Sequence, residues 1–378
     1  KKEDILHNEF LLTFVPDKTT INDGFYSILF IIRKGVLSMS TQKRNIWLDN
    51  VKGFLIICVV AGHFLESGID YHSNMCKSLF LFIYSFHMPL FVFASGLMCE
   101  HAIQTKERFC KKLANFAGLY VLLKLLIFPF QRLTSPGLTF SLVKTDGVPW
   151  YLFAMCVFYT CAYLLRHVDK RKILAIAVLA ALLAGYDNGI GDVFAFSRCL
   201  VFFPWFVLGW MCNLNKLEYQ LHRPVMQILA PVTVLAFFII CRLNIDSFYI
   251  FRRFFTGRSS YEALLDDAGE VGILFRLSAY MITFIIGVCI LSIIPRHKIF
   301  HLDALGKESM SIYFFHRPVL FYLEYVETYP FLYQHFHGWA NILWLIIAII
   351  LVIILAQPLF EKPFKIYNAW IQQKVHVS

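Results

Sequence analysis

Charge is scarce in this sequence. Asp, Glu, Lys and Arg make up 16% of 378 residues, where a soluble domain carries about a quarter. That shortfall excludes an ordinary soluble protein. The residues that replace the charge are apolar: 58% of the chain is hydrophobic, with 39 Phe and a mean hydropathy of +0.61, so the fold class expected is an all-α integral membrane protein forming one membrane domain. Cysteine pairing is missing too. The ten Cys are scattered, several inside apolar runs (Cys58, Cys156, Cys161, Cys289), which reads as small buried hydrophobes rather than a disulfide framework or a metal site; no metal is expected. There is no internal repeat and no low-complexity segment. The net charge of +10 raises nucleic acid as a partner, but the basic residues sit in short loops between apolar runs. That is the pattern of a bilayer protein, and it argues against nucleic acid.

Measured against the roughly 20 apolar residues needed to cross a bilayer, about ten segments qualify: 47–66, 78–98, 111–130, 150–165, 173–186, 197–212, 225–241, 274–294, 309–326 and 339–359. Pro89, Pro204 and Pro318 interrupt three of them, tolerable where neighbouring groups satisfy the freed backbone. If ten spans alternate, most loop Lys and Arg fall on one side, among them Lys43, Arg44, Lys106, Arg166, Arg296 and Lys362. Both termini are then cytoplasmic. The long loop 242–273 mixes Arg252, Arg253 and Arg258 with Asp266, Asp267 and Glu270 and carries little weight in that rule. Residues 1–38 read differently. They open on Lys1 rather than Met, and their apolar stretch 25–37 is too short to span and is broken by Arg33-Lys34. They are expected to be an interfacial or non-native extension, with the membrane domain at 39–378.

The stretch 44–66 carries ionisable groups at awkward depth. Lys52 and His63 lie eleven positions apart, which at about 100° per residue puts both on one helix face, roughly 16 Å apart along the axis. Two readings are open: a snorkelling Lys with a locally satisfied His, or a functional site. Glu66, one turn beyond His63, can fix the imidazole tautomer or be solvated at a helix end. The other intramembrane candidates are His87 just before Pro89, His316-Arg317 in the ninth span, and Arg198 opening the sixth, which suits an anionic acceptor or simply snorkels. Trp150 is a belt aromatic or a platform for a sugar ring.

Asp49-Asn-Val-Lys52-Gly followed ten residues later by His63 resembles the first-helix signature of the acyltransferase 3 family, multi-pass enzymes that O-acylate carbohydrates. Ser85-Phe-His87-Met-Pro89…Gly96, Pro149-Trp150, Phe202-Phe-Pro204…Gly209 and Ser311-Ile-Tyr-Phe-Phe-His316-Arg317-Pro318 resemble segments of its fucose 4-O-acetylase-like branch, over about 43 to 362. The resemblance implies about ten helices in a bacterial cytoplasmic membrane. It also implies acetyl-CoA (or another acyl-CoA) bound from the cytoplasm as co-substrate, and a glycan or lipid-linked sugar acceptor presented from the other side. It places catalysis at His63 with Lys52 as basic partner. It places coenzyme binding in the loop carrying Arg108, Lys111 and Lys112, where Lys111 stands for the second Arg of the family's Arg pair and cannot grip phosphate bidentately. Phosphates need such a cationic handle, although the same cluster is what the positive-inside rule alone supplies. No Ser or Cys sits in a nucleophile–base motif, which leaves direct transfer and an acyl-enzyme both open. The competing class is a transporter or flippase for a lipid-linked or small solute, using the same buried charges as pathway residues.

Overall fold

The computed structural model describes residues 44–144, 147–187 and 194–375, apart from the side chains of 266–268. The extension expected at 1–38 lies outside the described residues, which are helical with no strand among them. In chain order the helices are α1 (Ile46–Asp70), α2 (Asn74–Tyr84), α3 (His87–Leu97), α4 (Cys99–Ile103), α5 (Lys106–Thr134), α6 (Trp150–Leu164), α7 (Lys170–Leu183), α8 (Phe196–Met211), α9 (Leu214–Leu221) and α10 (Pro224–Leu243). Then come α11 (Ile245–Phe248), α12 (Phe251–Thr256), α13 (Glu262–Leu265), α14 (Gly272–Ile293), α15 (Leu302–Lys307), α16 (Ser309–Tyr325), α17 (Thr328–Phe336), α18 (Ala340–Leu355) and α19 (Pro358–Lys374).

Among the described residues, six helical stretches are long and apolar enough to cross a bilayer, or seven if α8 and α9, bent by 96° at their junction, count as one. All ten apolar segments of the sequence fall in helices, but α6 and several others are shorter than a bilayer. The apolar residues are not all inside. On α10, Ile228, Leu229, Val232, Leu235 and Leu243 point outward, and such a helix needs lipid around it, since water would face its side chains.

α1 is the central element. Asn45 caps it, its Oδ1 accepting from the Leu48 amide at 2.8 Å, and Asp49 in the first turn complements the helix dipole. The glycines of the family-like segments are where backbones touch. A Cβ on Gly53 would strike the Leu302 carbonyl of α15, and one on Gly306 would strike the Asp49 carbonyl in return. Gly96 of α3 and Gly209 of α8 make the same reciprocal contact through the Phe206 and Phe93 carbonyls. Asn50, wholly buried, donates to the Pro295 and His297 carbonyls at 2.9 and 2.8 Å, tying the loop before α15 to α1.

The second span breaks at Ser85-Phe86, between α2 and α3. Pro89 has no N–H for the Ser85 carbonyl four residues earlier. The Thr283 hydroxyl of α14 donates to that oxygen at 2.7 Å, so the break is satisfied from a neighbouring helix. All ten cysteines are unpaired and none is fully exposed.

Candidate active site

A cavity of about 790 Å³ opens at the end of α1 that carries His63. His63, Glu66, His87, Trp150, Arg198 and Arg317 all line it, so six of the residues singled out in the sequence converge there from five helices. Glu66 is the hub. His63 Nδ1 lies 3.7 Å from Glu66 Oε2, an ion-pair distance too long for a hydrogen bond. Arg317 Nη1 lies 3.5 Å from the same oxygen, and the Tyr84 hydroxyl stands 3.5 Å from Oε1. Glu66 is therefore a partnered carboxylate rather than a solvated helix end.

On its other side His63 meets the ring of His316, with centroids 5.4 Å apart and planes 26° from parallel. His316 is wholly buried behind His63 and does not line the cavity. Its Nδ1 lies 3.0 Å from the Ile312 carbonyl, which can only accept, so Nδ1 carries the proton and Nε2, buried and unbonded, is a bare acceptor. Consecutive residues of α16 thus flank the dyad, Arg317 at the carboxylate and His316 at the imidazole. His87 is bound one turn back on its own chain, Nδ1 to the Ile83 carbonyl at 2.8 Å, the local arrangement expected beside a helix break. The Trp150 ring is covered by the Arg198 guanidinium at 5.2 Å and by Phe202 at 5.0 Å.

The sequence reading passed over the loop 242–273, yet Arg252, Arg253 and Arg258 also line this cavity. The available signal was three Arg within seven residues interleaved with Phe251, Phe254 and Phe255, an aromatic-studded run unlike a solvated loop. The reason it folds inward is Arg276, buried in the first turns of α14. It donates to the Phe254 carbonyl at 2.6 Å and lies over the rings of Phe254 and Tyr261.

Lys52, Arg108, Lys111 and Lys112 are elsewhere, toward the other end of α1. Lys52 Nζ sits 3.9 Å from the buried Asp49 carboxylate and 3.7 Å from Met98 Sδ. Arg108 and Lys111 bond to Gln104 and Glu107 on their own chain, one turn back. Lys112 instead turns inward over Phe116 and Tyr159, at 4.9 and 5.5 Å, within electrostatic range of Lys52. Of the three loop cations it is the one placed with Lys52. Nearby Glu100 accepts from Lys170 at 2.8 Å and from Trp210 Nε1 at 2.8 Å; the Lys170 hydrogen bond, foremost, holds its carboxyl below the usual range.

Bilayer-length helices, outward apolar faces and ionisable side chains gathered around an internal cavity define a multi-pass integral membrane protein. The chain belongs to the acyltransferase 3 family, matching its acyltransferase domain over residues 45–361. It is similar to nodulation protein NolL of Sinorhizobium fredii, 27% identical over 203 residues, covering 49% of this chain and 53% of that protein. It is also similar to nodulation protein NolL of Mesorhizobium japonicum, 28% identical over 166 residues, covering 40% of this chain and 44% of that protein. The matched stretch spans about half the length of these curated relatives. No solved structure matches significantly.

Proposed function

We propose that this protein is a membrane O-acyltransferase that moves an acetyl group from acetyl-CoA to a hydroxyl of a sugar in a surface or exported glycan, free or lipid-linked. In this reading residues 39–378 are the catalytic domain, residues 1–38 an extension. About ten helical segments are embedded in a bacterial cytoplasmic membrane, with both termini inside. The observation that carries the reading is the grouping of His63, Glu66 and Arg317 in one cavity, with Lys52 and Lys112 toward the other end of the helix that bears His63.

The chemistry follows from that arrangement. Glu66, itself held by Arg317, favours a proton on His63 Nδ1 and leaves Nε2 to take the acceptor hydroxyl's proton. The hydroxyl oxygen then attacks the thioester carbonyl, a bond forms from oxygen to the acyl carbon, and the thiolate of coenzyme A leaves and takes up a proton. Lys52 and Lys112 supply the cationic handle that the coenzyme's phosphates require, with Arg108 and Lys111 at its rim. Trp150, with Arg198 laid over its ring, lines the acceptor side of the cavity.

The test is coenzyme A release by purified protein in detergent, supplied with acetyl-CoA and an extract of cell-surface glycan. Release that depends on the extract and on His63 is expected. No release by wild type, with radiolabelled sugar crossing proteoliposomes instead, would make the cavity a transport site.

A further inference from the structure

We propose that the acceptor held in this cavity is anionic: a saccharide bearing a phosphate or a carboxylate, gripped by Arg252, Arg253 and Arg317. The proposal rests on the reading of the cavity as the acceptor site. Among its described lining residues, Arg252, Arg253 and Arg317 stand with a single carboxylate. That carboxylate, Glu66, is already shared between His63 at 3.7 Å and Arg317 at 3.5 Å. Glu324, at 3.9 Å from Arg317, offsets some of the charge on α16, but it does not line the cavity.

Like charges gathered in a confined space repel, so their collection points to an opposite charge that binds there. Arg252 is also placed rather than trailing. Arg252 lies over Phe80 at 5.2 Å, and its Nη1 donates to the Tyr249 hydroxyl at 3.1 Å. The segment beneath is fixed by Arg276 bonding to the Phe254 carbonyl. Cations that merely snorkel reach outward to lipid headgroups, whereas these arginines line the same cavity as His63. A guanidinium is a planar fork that fits two oxygens of a phosphate or carboxylate at once, and charge strengthens those bonds beyond what a neutral sugar's hydroxyls supply.

Equilibrium binding of radiolabelled glucose 1-phosphate, glucuronate and glucose to the full chain in detergent tests this without acetyl-CoA. Failure of anion preference and failure of acyl transfer are therefore read separately. At least one of the two acids should bind tenfold or more tighter than glucose, since charge-assisted contacts are worth roughly ten- to hundredfold. A preference for glucose 1-phosphate indicates a phospho-linked acceptor, and one for glucuronate an acidic sugar. The double variant R252Q/R253Q should lose the advantage, and Arg253→Gln alone, at an exposed position where folding is not at risk, should lose part of it. Arg242→Gln, exposed at the end of α10 and outside the cavity, should keep it. Equal binding of acids and glucose, an advantage that survives R252Q/R253Q, or one lost equally in Arg242→Gln would overturn the proposal.

Discussion

His63 has two ring nitrogens, and its neighbours treat them differently. Glu66 stands by Nδ1, with Arg317 pulling on the same carboxylate oxygen, while His316 stacks on the ring. General-base catalysis contributes about 10²–10⁴-fold, so His63→Gln should lower acetyl transfer per inserted molecule at least about a hundredfold. The amide can still hydrogen-bond, but it takes no proton at neutral pH. Glu66→Gln should cost less, about tenfold, by removing one charge-assisted partner of the ring. Near-normal transfer by His63→Gln would remove the imidazole from the chemistry. At the coenzyme end, Lys112→Ala should raise the acetyl-CoA KM roughly ten- to hundredfold, and more than Arg108→Ala does, because Arg108 is turned to Gln104 while Lys112 is turned inward over Phe116 and Tyr159. Equal effects of the two would return Lys112 to the ordinary loop charge. These partners were only partly legible in the sequence. Helical spacing placed Lys52, His63 and Glu66 on one helix, because those positions lie within one regular element. The approach of Arg317 and His316 was not readable, because it depends on how α16 packs on α1, some 250 positions away.

Between residue and bundle, the family-like segments turn out to be joints. Gly53 with Gly306, and Gly96 with Gly209, let backbones meet at two crossings, and Thr283 satisfies the carbonyl freed by Pro89. Thr283→Val, nearly the same shape without the hydroxyl, leaves the Ser85 oxygen buried and unbonded, at a cost of about 1–3 kcal/mol. Its melting temperature in detergent should fall while acetyl transfer per folded molecule changes little. An unchanged melting temperature would mean that the Ser85 oxygen finds another donor. Pro89 announced this break in the sequence, although the chain breaks three residues earlier, at Phe86, because the proline's effect falls on a carbonyl one turn back. The loop 242–273 was opaque for a different reason. Its Arg and Asp content resembles a solvated loop, and its inward fold depends on Arg276, a charged residue buried in a helix that reads as a membrane span.

At the scale of the whole molecule, hydropathy made every major apolar helix visible and did not fix how many cross. Ten segments were expected; among the described residues six or seven are of bilayer length, the rest too short to decide by length and composition. The charge asymmetry does make a definite expectation. Reporter fusions after residues 170 and 370 should both report cytoplasm, and an outer-side signal at either would overturn the ten-span arrangement with both termini inside.

Those two ends make α1 a measuring rod. In the proposed function it carries a phosphate handle at Lys52 and a proton acceptor at His63, about 16 Å apart along a single unbroken helix. Both marks lie on one helix, so the gap is set by the helix rise and cannot shorten without unwinding it. A donor must then be long enough to be held at one mark and to react at the other. Acetyl phosphate, which carries its anion next to its acyl carbon, could occupy either mark but not both. It should fail as a donor even at concentrations that saturate Lys52 and Lys112. An acetyl thioester of pantetheine, which has no phosphate for the first mark, should likewise be a poor donor. Donor choice here is a matter of length before it is a matter of contact.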